Sequence, residues 1–400
     1  MALKAYQLTS IIILLALLAV IVACTAETIE KEAPRIAMFR GDAAHSGVYE
    51  TEGVPELTGE KWRLNLGSPS NGSPTIAGKS LFIGADNGIL RAIDPEEGKV
   101  KWTYKAKGKI RSTPAVYEDE VYFTDDLGNA YALNEASGTV RWTAKLDGPI
   151  GGKPVASDTW DYYLSSPVVD ASAIYVGSAG RSFVALDRKS GQLLWKRESE
   201  TGTFHSTAAL TEKAVYIGDD LGTLYALNIR NGNILWTAKT IAPFQSSPSV
   251  RDGVVYIGGR DTFVHAYEAD TGEPLWRHSS GTSWVPSSPA TTDSLVVVGS
   301  SDAGLVHVLD RMTGKRKLNF ILPERSRVFS SPAIAGNVMY FGTAFTDGKF
   351  EKDALYAVDL DTGKLAWRFD GTKAPIVASP IVWNGVVYYA SQDGYLFALQ

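Results

Sequence analysis

The sequence predicts an all-β fold: an eight-bladed β-propeller of four-stranded antiparallel blades, closed by an N-terminal strand that completes the last blade. The first observation is a unit of about 40 residues that recurs along the chain. The second is a period of two within each unit, in short β-branched and aromatic runs such as residues 215–217 and 223–227. The third is that the two ends of this series carry complementary parts of one blade.

Each unit is marked by a proline slot and, usually 28 residues later, by a tryptophan slot. The proline slots are Pro74, Pro114, Pro167, Ala208, Pro248, Pro289, Pro332 and Pro380. The tryptophan slots are Trp62, Trp102, Trp142, Trp195, Trp236, Trp276, Leu318 and Trp367. Turn residues such as Gly222 and Asn231 separate four short strands, A to D, in each unit. Four-stranded units repeated radially form a propeller, because no single unit buries its own apolar face.

The blade count follows from the first and last units. Pro380 is followed by three strands but by no tryptophan slot, whereas residues 60–64 form a fourth strand that no first three precede. Pairing these parts satisfies two exposed sheet edges, which would otherwise promote aggregation. We therefore expect eight blades in a closed ring.

Residues 1–23 are expected to be a secretory signal peptide. Lys4 precedes an apolar run at residues 11–22, and the sequence Ile-Val-Ala-Cys ending at Cys24 resembles a bacterial lipobox. We expect a lipidated Cys24 and a polar tether over residues 24–37, followed by the propeller over residues 38–400. A plain membrane anchor is the alternative, although the run is shorter than the about 20 residues that a spanning helix needs.

The composition argues against a nucleic-acid partner and against an intramolecular disulfide. The formal net charge is −5 at pH 7, which lacks the basic footprint of a nucleic-acid-binding protein. The chain has a single cysteine, so no intramolecular disulfide is available. Membrane attachment is therefore expected through lipid rather than through surface charge.

The motif Ala-Leu-Asp-x-x-x-Gly-x-x-x-Trp at residues 185–195, with a counterpart at 357–367, resembles the tryptophan-docking repeat of the pyrroloquinoline-quinone-type propellers. The resemblance implies that Trp rings pack on neighbouring blades, at Trp62, Trp102, Trp142, Trp195, Trp236, Trp276 and Trp367. An eight-bladed ring behind a lipobox is most similar to the propeller lipoproteins of the outer-membrane β-barrel assembly machinery. This implies a non-enzymatic scaffold for protein partners, held at the periplasmic face of the outer membrane. In a host without one, the outer face of the cytoplasmic membrane is expected.

The alternative is a quinone-dependent dehydrogenase, or a propeller that binds a small molecule in its channel. Such dehydrogenases share the repeat but carry an adjacent cysteine pair and a calcium site of Glu, Asn and Asp. The cysteine pair is impossible here, and Asp86, Asp125, Asp219 and Asp393 all occupy the same B–C turn, where turn chemistry explains them. No Ser/His/Asp set, CxxC or HExxH pattern is present. We expect no catalytic residue, no metal and no cofactor.

Two insertions locate the expected partner-binding face. Trp142 and Pro167 are 25 residues apart, where 12 separate Trp62 from Pro74 and Trp102 from Pro114, and Pro332 and Trp367 are 35 apart where 28 is usual. The D–A and B–C connections that hold the insertions emerge on one face, together with the residues leading into strand A. Arginine and aromatic residues there are typical of binding hot spots. The predicted face comprises Arg111, Trp160, Tyr162, His205, Gln245, Trp284, Arg327 and Phe329. The alternative is that these are merely large loop residues.

Overall fold

The computed structural model of the protein describes residues 35–148, 165–178, 181–199, 202–323, 326–345 and 352–400. These ranges contain 34 β-strands and no α-helix, arranged in eight sheets of four or five strands. The prediction of an all-β, eight-bladed propeller is confirmed.

Blades 1 to 7 each take four consecutive strands, A to D from the innermost outward. Blade 1 contains β4 (Thr75–Ala77), β5 (Ser80–Ile83), β6 (Ile89–Ile93) and β7 (Val100–Lys105). Blade 2 contains β8 (Ala115–Tyr117), β9 (Glu120–Thr124), β10 (Asn129–Asn134) and β11 (Val140–Lys145). Blade 3 contains β12 (Val168–Val169), β13 (Ala173–Gly177), β14 (Ser182–Asp187) and β15 (Leu193–Glu198). Blade 4 contains β16 (Ala209–Leu210), β17 (Ala214–Gly218), β18 (Thr223–Asn228) and β19 (Ile234–Lys239).

The remaining blades follow the same order. Blade 5 contains β20 (Ser249–Arg251), β21 (Val254–Gly258), β22 (Phe263–Glu268) and β23 (Pro274–Ser279). Blade 6 contains β24 (Ala290–Thr291), β25 (Leu295–Gly299), β26 (Leu305–Asp310) and β27 (Arg316–Ile321). Blade 7 contains β28 (Ala333–Ala335), β29 (Val338–Gly342), β30 (Leu355–Asp359) and β31 (Leu365–Phe369). Blade 8 contains β32 (Ile381–Trp383), β33 (Val386–Ala390), β34 (Tyr395–Leu399) and the N-terminal strand β3 (Glu60–Asn65).

The closing strand pairs as predicted. β3 runs antiparallel to β34, with Trp62 opposite Ala398 and Asn65 opposite Tyr395. Beyond the strand, the Gly59 N–H donates to the Gln400 carbonyl at 2.9 Å, and the Gln400 N–H donates to the Gly59 carbonyl at 3.0 Å. The first and last parts of the propeller thus share one blade and close the ring.

Burial follows the position of each strand in its blade. The inner strands A to C are almost wholly buried, as in Ala173–Gly177, whereas the outer strand D is mostly exposed except at the docking tryptophan, as in Leu193–Glu198. Every docking tryptophan on strand D faces an alanine on strand C, as Trp195 faces Ala185. The core therefore lies between the blades, where facing strands pack.

The N-terminal residues 35–50 form a feature that the repeat did not predict, which we call the plug. Strand β1 (Ile36–Ala37) pairs antiparallel with β8, the innermost strand of blade 2. Strand β2 (Val48–Tyr49) pairs parallel with β28, the innermost strand of blade 7. Because both strands lie on the inner side of the blades, the plug occupies the central channel. The tether predicted for residues 24–37 thus overlaps the propeller at Ile36–Ala37.

The plug reverses direction inside the channel. β1 rises from the A–B turn of blade 2, where the Glu118 N–H donates to the Arg35 carbonyl at 2.8 Å. The chain turns at Arg40 and Gly41, both with positive φ, and descends again. It leaves beside the A–B turn of blade 8, where the Asn384 N–H donates to the Thr51 hydroxyl at 3.1 Å. Entry and exit therefore lie on one face, which carries the A–B and C–D turns and which we call the closing face.

Candidate functional site

The opposite face carries the D–A and B–C connections, and we call it the mouth face. At this end of the channel a closed circle of hydrogen bonds joins all eight blades. The residue before each proline slot is Ser or Thr, and its backbone N–H donates to the corresponding hydroxyl of the next blade at 2.9–3.1 Å. These buried side chains form the hydroxyl ring: Ser73, Thr113, Ser166, Thr207, Ser247, Ser288, Ser331 and Ser379.

A second serine fastens strand A to strand B within a blade. The Ser206 hydroxyl donates to the Gly218 carbonyl at 3.0 Å and accepts from the Gly218 N–H at 3.3 Å. In blade 1, where Gly72 fills this slot, Ser70 substitutes by donating to the Gly84 carbonyl at 2.7 Å. The recurrent Ser-Ser-Pro signature is therefore explained by fastening within and between blades, because both hydroxyls satisfy buried backbone groups.

Phe39 of the plug closes the channel directly beneath the hydroxyl ring. The cavity between them has a volume of about 20 Å³, which is the space of a single water molecule. Its walls are formed by Phe39, six members of the hydroxyl ring and the residues Asn71, Gly72, Arg111, His205 and Val377. Among the residues that the structure describes, the centre of the mouth face is therefore closed, and the accessible side chains lie on the surrounding loops.

Arg111 lies at this rim with its guanidinium already paired. Its Nε and Nη2 donate to the two carboxylate oxygens of Asp86, in the B–C turn of blade 1, at 2.8 and 2.7 Å. Hydrogen bonding to Asp86 raises the pKa of Arg111 above its ordinary value, so the pair stays charged. Lys109 stands 3.5 Å from the same carboxylate. Arg111 thus joins blades 1 and 2 and offers its planar fork to Asp86.

A stacked cluster stands between blades 4 and 6 on the mouth face. The Arg260 guanidinium lies 4.5 Å from the centre of the Trp284 ring, and its Nε donates to the Gln245 side-chain oxygen at 2.8 Å. Trp284 is nonetheless 38% exposed, so its ring is held in place and still open to solvent. A cation–π stack of this kind reduces the side-chain entropy lost when a partner binds. This trio combines a fixed aromatic ring with solvent exposure, a combination typical of binding hot spots.

The other predicted rim residues differ in the groups that they contact. His205 lies 3.8 Å from the Asp220 carboxylate, and the Arg327 Nε lies 3.5 Å from that of Asp302. Phe329 is buried and packs edge to face against Phe345 of the blade 7 insertion, at 6.3 Å between ring centres. Phe329 therefore supports the loop instead of presenting a surface.

Parts of the predicted face lie outside the described residues. Trp160 and Tyr162 belong to the blade 3 insertion, of which residues 149–164 are not described, and Cys24 with the signal peptide lies before residue 35. In the blade 7 insertion, residues 346–351 are not described. The structure thus brings Arg111, His205, Gln245, Trp284 and Arg327 to one face.

The docking tryptophans bind the blade that follows. The indole Nε1 of each donates to a C–D turn carbonyl of the next blade, as from Trp236 to Ala269 at 2.8 Å. The ring also lies on a positive-φ glycine, Gly272 in this case, whose added Cβ would come within 2.6 Å of the indole. Trp367 has no such turn to bind, because the next blade is the closing one, and it donates to the Val54 carbonyl at 2.7 Å. The segment before β3 therefore replaces the missing turn.

The B–C turn aspartates stabilise their turns by accepting hydrogen bonds, as Asp219 does. The Asp219 carboxylate accepts from the backbone N–H groups of Leu221 and Thr223 at 3.0 and 2.7 Å, and from the Tyr225 hydroxyl at 3.2 Å. Burial raises the pKa of Tyr225. In the ranges that the structure describes, no three His, Cys, Asp or Glu side chains are grouped so that they could hold a metal ion. Nor does any helix there have the length and apolar character to span a membrane.

Sequence reasoning missed the plug and the hydroxyl ring. The ring had a visible signal, since Ser or Thr precedes every proline slot. The plug had a weaker one: the segment Phe-Arg-Gly-Asp at residues 39–42 lies outside the repeat and places glycine after a charged residue.

Comparison with known proteins supplies a family. Residues 54–207, 180–277 and 260–400 match the family of the outer membrane protein assembly factor BamB. The chain is 26% identical over 164 residues to the outer membrane protein assembly factor BamB of Legionella pneumophila, covering 38% of this chain and 40% of that protein. It is 28% identical over 138 residues to the quinohemoprotein alcohol dehydrogenase ADH IIB of Pseudomonas putida, covering 31% of this chain and 20% of that enzyme. The aligned segments thus span two fifths or less of these relatives.

A solved structure agrees in fold. The crystal structure of BamB from Moraxella catarrhalis is similar with a TM-score of 0.67 and 20% identity, covering 85% of this chain and 97% of that one. At this identity the likeness concerns the propeller architecture alone.

Proposed function

Since the chain belongs to the family of the outer membrane protein assembly factor BamB, we propose that it is a non-enzymatic scaffold that binds a protein partner in the cell envelope. The partner class is a component of the outer-membrane β-barrel assembly machinery, and the contact surface is the mouth face. The observation that carries this proposal is the pairing of a closed channel centre with an exposed, pre-oriented Trp284 on its rim.

The rival function, quinone-dependent dehydrogenation, is disfavoured by the small volume of the cavity in the channel. Sites for small organic molecules usually offer 300–1,000 Å³, whereas the cavity beneath the hydroxyl ring has about 20 Å³. Phe39 fills the position below that ring. The residues that line this cavity do not fit the quinone. Adding pyrroloquinoline quinone with Ca²⁺ should leave the melting temperature unchanged, and a saturable rise would favour the dehydrogenase instead.

Site-specific photocrosslinking tests the scaffold directly. A photoreactive residue at position 284 should form adducts with a β-barrel assembly component in intact cells, while the same residue at position 275 should not. Leu275 is a matched control because it is exposed and apolar but lies on the outer strand of blade 5. Trp284→Ala should weaken binding by about 2 kcal/mol, the scale of an anchor residue. Adducts at position 275 alone would move the contact surface to the outer strands.

Membrane attachment through Cys24 forms part of the same proposal. The sequence around Cys24 supports lipidation, and residues 25–34 would then link the lipid to the plug. Cys24→Ser should turn a detergent-partitioning protein into a soluble one with unchanged melting temperature. A variant that still partitions with membranes would favour an uncleaved anchor.

A further inference from the structure

The plug is attached to the blades, between its two short strands, by isolated hydrogen bonds and by a contact of 3.1 Å between His45 Nδ1 and the Pro248 carbonyl oxygen. Between its two short strands, single backbone N–H groups of blades 4, 5, 6 and 7 donate to plug carbonyls at 2.7–2.9 Å. The four donors are Leu210, Val250, Thr291 and Ile334. The closing strand β3, in contrast, pairs with β34 along its whole length. An element held by isolated bonds opens at a lower free energy than one held by a continuous ladder.

The plug backbone is also strained. Arg40 and His45 have φ values of 65° and 59°, in the left-handed region that residues with a Cβ rarely adopt. Gly47 has a φ of 65° in the same region, where glycine is favoured because it carries no Cβ. These conformations persist only while the channel walls hold them.

A charge is buried in the plug without hydrogen-bond partners. Arg40 is 3% exposed, and burial lowers its pKa to about 10, so it stays protonated at neutral pH. None of its three side-chain nitrogens has a hydrogen-bond partner among the described residues, and neither does Nε2 of the buried His45. The nearby Asp42 carboxylate accepts instead from the N–H groups of Ala44 and Ser46 at 2.9 and 3.2 Å. An unpaired buried guanidinium favours the state in which water reaches it.

The path of the plug permits withdrawal. It enters beside Glu118 and leaves beside Asn384, both on the closing face. The chain therefore does not thread the hydroxyl ring, and its path leaves the loop between those points able to move out of the channel without disturbing β3. We propose that the plug is a displaceable element, which leaves the channel through the closing face while the eight blades stay folded. Its departure opens a channel whose walls are the inner edges of strands A.

Native-state hydrogen exchange of the full-length protein tests the proposal. The amides of Leu210, Val250, Thr291 and Ile334 should exchange together, at least tenfold faster than the strand C amides of Ala226 and Ala266. Arg40→Met removes the unpaired charge and should slow exchange of the four plug-facing amides at least tenfold relative to strand C. The methionine keeps much of the side-chain length, so the channel stays filled.

Arg91→Met is the matched control. Arg91 is also buried, but its Nη2 donates to the Leu66 carbonyl at 2.6 Å in blade 1, away from the plug. This variant should leave the ratio of plug-facing to strand C exchange as it is in the wild type. Plug-facing amides that exchange only at the strand C rate would overturn the proposal. So would opening that Arg40→Met leaves unchanged or accelerates.

Discussion

Blades 4 and 6 use different residues at the seam, which we define as the contact of the strand D docking residue with strand C and with the following blade. In blade 4, Trp236 faces Ala226 across the strands and donates to the Ala269 carbonyl of the next blade. In blade 6, Leu318 takes the tryptophan slot and faces Val308, so the partner across the strands is larger where the docking residue is smaller. Apolar volume is thereby partly restored, but leucine has no donor for the neighbouring turn. The comparison separates what packing and what hydrogen bonding contribute to a seam.

The two blades also differ in strand C. Tyr225 of blade 4 bonds to Asp219, whereas His307 of blade 6 occupies the same slot and lies 2.9 Å from the Ser280 hydroxyl through Nε2. Burial lowers the pKa of His307 to about 4. Blade 6 therefore combines a seam without the indole bond and a buried group that titrates in mild acid.

The largest expected difference comes from removing each docking residue. Trp236→Ala should lower the free energy of unfolding by about 3 kcal/mol, because a buried indole and its hydrogen bond are both lost. Leu318→Ala should cost about half as much, since less buried surface and no hydrogen bond disappear. Chemical denaturation of both variants measures the difference. Equal losses would mean that the indole bond contributes nothing to the seam.

Acid should weaken blade 6 more than blade 4. Because the pKa of His307 is about 4 in the folded state and near 6.5 when unfolded, its contribution is complete above pH 6.5 and is lost as the pH falls towards 4. The loss is on the order of 3 kcal/mol at its limit. His307→Tyr, which supplies the residue of blade 4, should flatten this pH dependence in denaturation curves recorded from pH 7 to 4.5. A slope identical to that of the wild type would assign the acid sensitivity to other groups.

Both blades contribute a residue to the hydroxyl ring, and loss of a ring hydroxyl should lower the free energy of unfolding by a similar amount in either blade. Ser288→Ala leaves the buried Ser247 N–H without its acceptor and should cost about 2 kcal/mol. Ser288→Thr should be nearly neutral, because Thr113 and Thr207 already occupy ring positions. Thermal and chemical unfolding compare the three proteins. An alanine variant as stable as the threonine variant would show that the ring bond is dispensable.

The smallest effect should come from rebuilding the seam of blade 6 in the image of blade 4. The double variant Leu318→Trp with Val308→Ala restores the large and small pair and offers an indole N–H to the Leu360 carbonyl. Gly363, with a φ of 66°, lies beside Leu318 and corresponds to the positive-φ glycines on which the indoles of the other blades pack. A gain of about 1 kcal/mol is expected, the value of one hydrogen bond. A loss of stability would mean that blade 7 has adapted to leucine.

The repeat itself was predictable because it is local: each glycine, turn and tryptophan recurs at a fixed spacing. The Ser or Thr before each proline slot was visible in the sequence, but its hydrogen-bond partner was not, since the partners belong to different blades and lie 40 to 53 residues apart in seven bonds and 306 apart in the eighth. Arg111 lies at the rim, and its counter-ion Asp86 comes from the B–C turn of the preceding blade, a pairing that the local repeat does not indicate. The plug obeys no period, and its path depends on the channel that the blades create.

The hydroxyl ring also has a consequence for how such a protein changes over evolution. The bond between blades 2 and 3 spans 53 residues and measures 2.9 Å, while that between blades 4 and 5 spans 40 residues and also measures 2.9 Å. The difference in the number of intervening residues leaves the length of the ring bond unchanged, and lengthening a loop costs only about 0.6 kcal/mol for each doubling. A mouth-face loop can therefore lengthen, shorten or be exchanged without any change in the hydroxyl ring that joins the blades. New partners can be acquired one loop at a time.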